Sequence, residues 1–255
     1  EFRATGRVMG PLYVVLLATA VGANVSARLM DRSSSTLLNV AGAFVVIAFV
    51  VALIGVSIMS IILMVNRFRT NLMGDEGYVM FTLPVSVHQL IWSKILVSTV
   101  WFVATGAVVM LSFFVVGYEV GMVRLIVDWF ARFMAELTAY YALNGAAILA
   151  EAAVLVVVGC AALCLQFYAA LATGHSFASH KMLLSVAFFF AYYFGMQFLA
   201  TMALVGLAQF SLPFSLSGMA AVHFAMGLSV IGVAIYGAVF YVITAVMLQR
   251  RLNLE

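Results

Sequence analysis

The chain has 255 residues, 66% of them hydrophobic and 8% charged, and a mean hydropathy of +1.20. Soluble domains carry about 25% charged and about 45–50% apolar residues, and a chain this long buries only roughly three quarters of its surface, so the composition excludes a water-soluble fold and requires lipid as solvent. The net charge of +3 and pI near 9.0 come from basic residues scattered between apolar runs, which argues against a nucleic-acid-binding surface and reads instead as a topology signal.

A bilayer core takes about 20 apolar residues per helix, with a range of roughly 17–25. That ruler predicts six spans, at residues 8–29, 38–65, 88–118, 142–170, 183–208 and 222–248. The first is read as a permanent span, because no small-residue cleavage site ends it. The chain opens on Glu1 rather than Met, which implies a longer native N-terminus. The first polar break is Asp31-Arg32-Ser33-Ser34-Ser35, and the second begins at Asn66-Arg67-Phe68-Arg69. Placing the N-terminus in the cytosol puts Arg3, Arg7, Arg67, Arg69, Lys94, Lys181, Arg250 and Arg251 inside. Only Arg28, Arg32, Arg124 and Arg132 then lie outside, each with an acidic residue to match it. This bias satisfies the positive-inside rule. The expectation is a multi-pass protein of the cell (inner or plasma) membrane with both termini cytosolic.

Between the third and fourth spans, Met122, Leu125, Ile126, Trp129, Phe130, Phe133 and Met134 alternate at helical period with Glu119, Arg124, Asp128, Arg132 and Glu136. Segment 119–137 is too charged to span and reads as an amphipathic helix lying on the outer surface. Pro11 falls in the first turns of span 1, and Pro84 and Pro213 fall in loops or near helix ends. No internal repeat or linker divides the chain. The predicted fold class is all-α, a polytopic membrane protein forming one transmembrane domain over residues 1–255.

Residues 66–89 carry the most information. Span 2 is expected to continue beyond the membrane and stop at Gly74, a good helix terminator. Asp75 and Glu76 suit a new helix start, where negative charge meets the positive end of the dipole. A short helix through Tyr78, Val79, Met80, Phe81 and Leu83 follows, and Pro84 breaks it. Ser86 with Gln89 forms a capping-box pattern that starts span 3. Leaving such large apolar side chains in water would forgo roughly 1.5–3 kcal/mol each. The patch therefore docks, either onto a soluble partner or back onto the protein's own helix ends or the lipid surface.

The string Gly74-Asp75-Glu76-Gly77-Tyr78-Val79-Met80-Phe81-Thr82-Leu83-Pro84-Val85-Ser86, with Gln89-Leu90 and Ser93-Lys94 after it, resembles the first cytosolic loop of ABC-2-type permeases. These are membrane subunits of bacterial ATP-binding-cassette exporters. The tail Gln249-Arg250-Arg251-Leu252-Asn253-Leu254-Glu255 is similar to the ending of one bacterial branch of that family. The resemblance implies six helices with inside termini, two permease subunits (two copies or a related pair) and two ATP-binding cassette ATPase subunits. It makes the loop helix, Asp75 to Pro84, a coupling helix seated on the ATPase, and makes residues 1–7 the remnant of an elbow helix before span 1. Many relatives carry Glu-x-x-Gly where this chain has the compressed Asp75-Glu76-Gly77. No Walker A sequence is present. The chain is thus expected to be no enzyme and to hold no cofactor or metal of its own, with ATP and Mg on the partner subunit.

Within the spans, Glu151 is the only acidic residue well inside an apolar run, so it is a candidate by default. Two readings stand: it meets a cationic substrate or carries a proton, or it pairs with a polar group on another helix. Tyr193, Gln197 and Thr201 repeat every four residues, next to Tyr192, and Ser57 and Ser60 are similarly close. In the resembled family these spans help line the path, so these residues are candidates for contact with substrate; interhelical hydrogen bonding is the alternative. Cys160 and Cys164 share one helix face and read as small apolar packers, with no His or carboxylate beside them in sequence to complete a site. His175, His180 and Lys181 read as a solvated turn or a second, shorter ATPase contact.

Two competing classes remain. An intramembrane hydrolase of rhomboid type needs Gly-x-Ser-Gly, but Phe214-Ser215-Leu216-Ser217-Gly218 lacks the first glycine and His223 follows too closely to serve as its base. A secondary transporter or channel working without an ATPase calls for more buried polar groups and usually for repeated halves.

Overall fold

The computed structural model describes residues 2–32, 35–74, 76, 77, 82, 84–119, 122–141, 145–177, 179–209 and 219–250. They form seven long helices: α1 (Phe2–Arg32), α2 (Thr36–Leu72), α3 (Val87–Val116), α4 (Met122–Tyr141), α5 (Gly145–Gly174), α6 (Lys181–Gln209) and α7 (Met219–Arg250). All except α4 are long and apolar enough to cross a membrane. The chain is an all-α, polytopic membrane protein.

Four of the helices, α1, α2, α6 and α7, overrun at both ends the apolar runs read from sequence, since helical hydrogen bonding continues where lipid ends, whereas α3 stops at Val116, short of the expected 118. α2 has 37 residues, about 55 Å at 1.5 Å per residue, against roughly 30 Å of hydrocarbon. Phe2 to Arg7, expected as a separate elbow remnant, are instead the first turns of α1 itself, and Pro11 lies inside that helix. There its ring removes the hydrogen bond to the Arg7 carbonyl.

The helices fall into two compact units, Glu1–Met64 with Val100–Ala135, and Val65–Thr99 with Glu136–Glu255. Both α2 and α3 contribute one end to each.

In the first unit α1, α2 and α3 pack around Leu16, Ala20, Ala23, Phe49 and Val56. Small residues let the backbones approach: a Cβ on Gly22 would meet Val45 at 3.1 Å. One polar knot lies in this apolar layer. The Thr105 hydroxyl donates to the Trp101 carbonyl at 2.8 Å, leaving its oxygen to accept from Tyr13 at 2.7 Å and from Ser60 at 3.2 Å. Three helices are tied by hydroxyls that each find a partner, as a hydrocarbon setting demands.

In the second unit α5 is the hub. Its final third, including Tyr168 to Thr173, is buried almost without a break. α7 runs parallel to it: Tyr236 donates to Oε1 of Gln166 at 2.6 Å, and a Cβ on Gly237 would lie 3.4 Å from that of Ala162. α6 runs antiparallel, with Phe167 stacked on Phe189 and the hydroxyls of Thr173 and Tyr192 2.8 Å apart. The ends of α2 and α3 nearest the 73–86 connection also pack on α5. Phe68 stacks on Tyr168 with ring centroids 3.9 Å apart, and Ser98 shares a 2.6 Å hydrogen bond with the Tyr168 hydroxyl.

Where α5 turns into α6, a Cβ on Gly174 would fall 2.7 Å from the Cα of Ser185. Backbone cannot yield there as a flexible side-chain tip would. Gly174→Ala should therefore lower stability by about 1–3 kcal/mol. Gly159→Ala, where a Cβ meets nothing within 4 Å, should leave stability unchanged or raise it by up to about 1 kcal/mol through helix propensity. Thermal unfolding of the purified protein in detergent reads both.

Candidate functional site

Two places concentrate chemistry, the 66–89 loop with its roots and a charged pair between α5 and α7. The loop begins where α2 stops. The N–H groups of Met73 and Gly74 both donate to the Arg69 carbonyl, at 2.8 and 3.1 Å, closing the last turn in the six-residue pattern typical of helix ends. Glu76 accepts from the Asn71 side chain at 2.8 Å, so its carboxylate braces the end of α2. Glu76, Gly77 and Thr82 are helical. Asp75, Tyr78, Val79, Met80, Phe81 and Leu83, expected to make the docking face, lie outside the described residues. Pro84 and Val85 bend the chain and are exposed.

The predicted capping box forms at the far side of the loop. The Ser86 N–H donates to Oε1 of Gln89 at 3.0 Å, and the Gln89 N–H donates to Oγ of Ser86 at 3.3 Å. Both roots are sunk into the second unit: Phe68, Leu72, Met73, Ile91 and Ile95 are almost fully buried. His88 adds a tie to α7 through a 2.6 Å hydrogen bond with the Tyr241 hydroxyl, and Trp92 packs against the same tyrosine.

The second place was only half legible. Glu151 meets His223, whose Nδ1–H donates to Oε1 at 2.7 Å. Both side chains keep about a third of their surface exposed, 32% for His223 and 33% for Glu151. Oε2 of Glu151 is buried and has no partner among the described residues. The sequence reading considered His223 only as a base for a serine and rejected it. Its pairing with Glu151 spans 72 residues, and no local pattern announces it.

The remaining candidates separate. Ser60 is buried within the first unit, bonded to Thr105, and Ser57 donates back to the Leu53 carbonyl at 2.9 Å. Tyr193, Gln197 and Thr201 do share an exposed face of α6, with the Thr201 hydroxyl donating to the Gln197 carbonyl at 2.9 Å. Their neighbour Tyr192 turns inward to Thr173 and Phe240. Cys164 is buried, Cys160 is half-buried and both are free thiols. His175, expected in a solvated turn, is 1% exposed, its Nδ1–H donating to the Leu171 carbonyl at 2.9 Å. His180 is exposed in that turn, with a left-handed φ of 55°. No group of three or more His, Cys, Asp or Glu placed to hold a metal occurs among the described residues.

Compared with family models, with curated proteins and with solved structures, the chain finds no match.

The Glu151–His223 pair makes a defined energetic prediction. Glu151→Leu and His223→Leu each strand a polar partner and should each lower stability by about 1–3 kcal/mol. The double variant should lose less than the sum, because no orphan remains. A thermal-unfolding cycle over the four proteins checks this, and strictly additive losses would show that the two residues do not interact.

Proposed function

We propose that this chain is the membrane-spanning permease subunit of an ATP-driven ABC transporter of the ABC-2 type, working as an exporter in the cell membrane with both termini cytosolic. The observation that carries the reading is the mounting of the 66–89 loop. Both roots enter one packed block, α2 through the Phe68–Tyr168 stack and α3 through the Ser98–Tyr168 hydrogen bond. Roots packed this closely can pass on a push delivered to the segment between them. The sequence of the loop supplies the apolar contact that a motor protein needs.

In this reading the ATPase subunits supply ATP binding and hydrolysis with Mg, and this chain supplies the lever. Tyr78, Val79, Met80, Phe81 and Leu83 seat in a groove of the ATPase. Asp75, Glu76 and Gly77 start the coupling helix, and Pro84 ends it. Closure of the ATPase pair displaces the loop. The displacement passes along α2 and α3 and, through Tyr168 and Tyr241, into α5 and α7. A second permease subunit completes the path, whose access then switches sides as packed blocks move between two arrangements. Tyr193, Gln197 and Thr201, which share an exposed face of α6, meet cargo in this reading.

The Glu151–His223 pair favours a second reading, a secondary transporter that needs no ATPase, since ionisable pairs inside membranes recur in proton and ion pathways. The two readings part on one preparation. The chain purified with its neighbouring ATPase should co-elute with it, and Tyr78→Asp with Phe81→Asp should abolish that association while leaving the permease folded. Undiminished co-elution of the double variant would sink the coupling-loop reading, and transport by the chain alone would establish the second.

A further inference from the structure

We infer that α4 is an in-plane membrane anchor, its aromatic face sunk in the headgroup layer of the bilayer whatever the charge of the lipid. α4 joins the end of one crossing helix, α3, to the start of the next, α5, so it stays on one side of the membrane. Its start is held at the end of α3 by α1. The Asn24 side chain donates to the carbonyls of Val116 and Tyr118 at 2.7 and 2.8 Å, and Arg28 donates to Tyr118 as well. These are the carbonyls that a helix end leaves without partners. At the start of α4 the Met122 N–H donates to the Glu119 carbonyl at 3.0 Å.

Val123, Ile126, Trp129, Phe130 and Phe133 fall on one side of α4, and Trp129 and Phe133 stack with parallel rings 5.3 Å apart. Arg124, Asp128, Arg132 and Glu136 fall on the other, with Leu125 the one large apolar residue among them. No part of the described chain covers the apolar side: Trp129 is 63% exposed and Phe130 43%. A helix tethered to the end of a membrane span and presenting such a face finds acyl-chain boundary directly beneath it. The two arginines and two acids cancel along α4, so burial of aromatic and aliphatic surface drives the contact without attraction to anionic lipid. The inference stands on the membrane fold alone and is independent of the permease reading.

The test uses Trp129 as its own probe. Trp92→Phe and Trp101→Phe leave it the only tryptophan of the three in the chain. In phosphatidylcholine nanodiscs, lipids brominated near the headgroup should quench its fluorescence at least about twofold more than lipids brominated near the chain end. Replacing part of the phosphatidylcholine with phosphatidylglycerol should leave the quenching unchanged. Strongest quenching from the chain ends would mean a spanning helix. Absence of quenching would mean that water or protein, including a second copy of the chain, covers the face. A rise with anionic lipid would mean electrostatic docking. Each of these overturns the inference. Should the tryptophan variants fail to fold, spin labels at Phe130→Cys and Arg132→Cys in a Cys160→Ala, Cys164→Ala background decide it. Oxygen should relax the first more strongly, and a water-soluble nickel chelate the second.

Discussion

The described architecture of the second unit depends on one aromatic side chain. Tyr168 sits wholly inside, its ring flat against Phe68 of α2 and its hydroxyl on Ser98 of α3. In lipid the hydrophobic effect does not hold helices together, because acyl chains are as apolar as leucine. Cohesion must come from close packing and from polar groups that would otherwise be stranded, and Tyr168 supplies both. Its ring fills the space among three helices, and its hydroxyl prefers Ser98 to hydrocarbon. Through it α5 holds both strands of the 66–89 connection.

The same economy explains how the other polar side chains are used. Most serines and threonines in the spans return their proton to a carbonyl of their own helix, as Ser57, Thr173, Thr201 and Thr244 do. That satisfies the hydroxyl without specifying a neighbour. Bonds between side chains that set helix against helix are fewer: Tyr13 and Ser60 with Thr105, Ser98 with Tyr168, His88 with Tyr241, Gln166 with Tyr236, Thr173 with Tyr192, and Glu151 with His223. Five of these seven use a tyrosine, whose length lets a hydroxyl cross the gap while its ring contributes packing surface. Glu151 and His223 differ in pairing two ionisable side chains, and Oε2 of Glu151 has no hydrogen-bond partner among the described residues.

The proposed function turns on which of these ties bear on the loop. α5 and α7 are joined to each other along their length, and the roots of the loop are joined to α5 through Tyr168 and to α7 through Tyr241. Motion imposed on the loop thus enters a block already cross-braced. That mechanical feature makes the permease proposal coherent, and it rests on packing that the resemblance of the loop alone does not contain.

The sequence by itself determined the class and the punctuation of this protein. Lipid solubility, six crossings and the Ser86–Gln89 box were legible because each depends on composition or on residues within one turn of each other. The amphipathic segment at 119–137 was legible too, since helical period writes itself along four-residue steps, although the helix runs from Met122 to Tyr141. Only the tertiary structure decided partners. Glu151 was visible as an anomaly but His223 was not its evident answer, His175 looked like a loop residue and proved to be core, and Phe68 gave no sign of lying against Tyr168 a hundred residues on. In a chain where nearly every helix is apolar on all sides, periodicity no longer marks an inner face. Which side chains meet is then settled by shape and by hydrogen-bond need across distant segments, and neither is written locally.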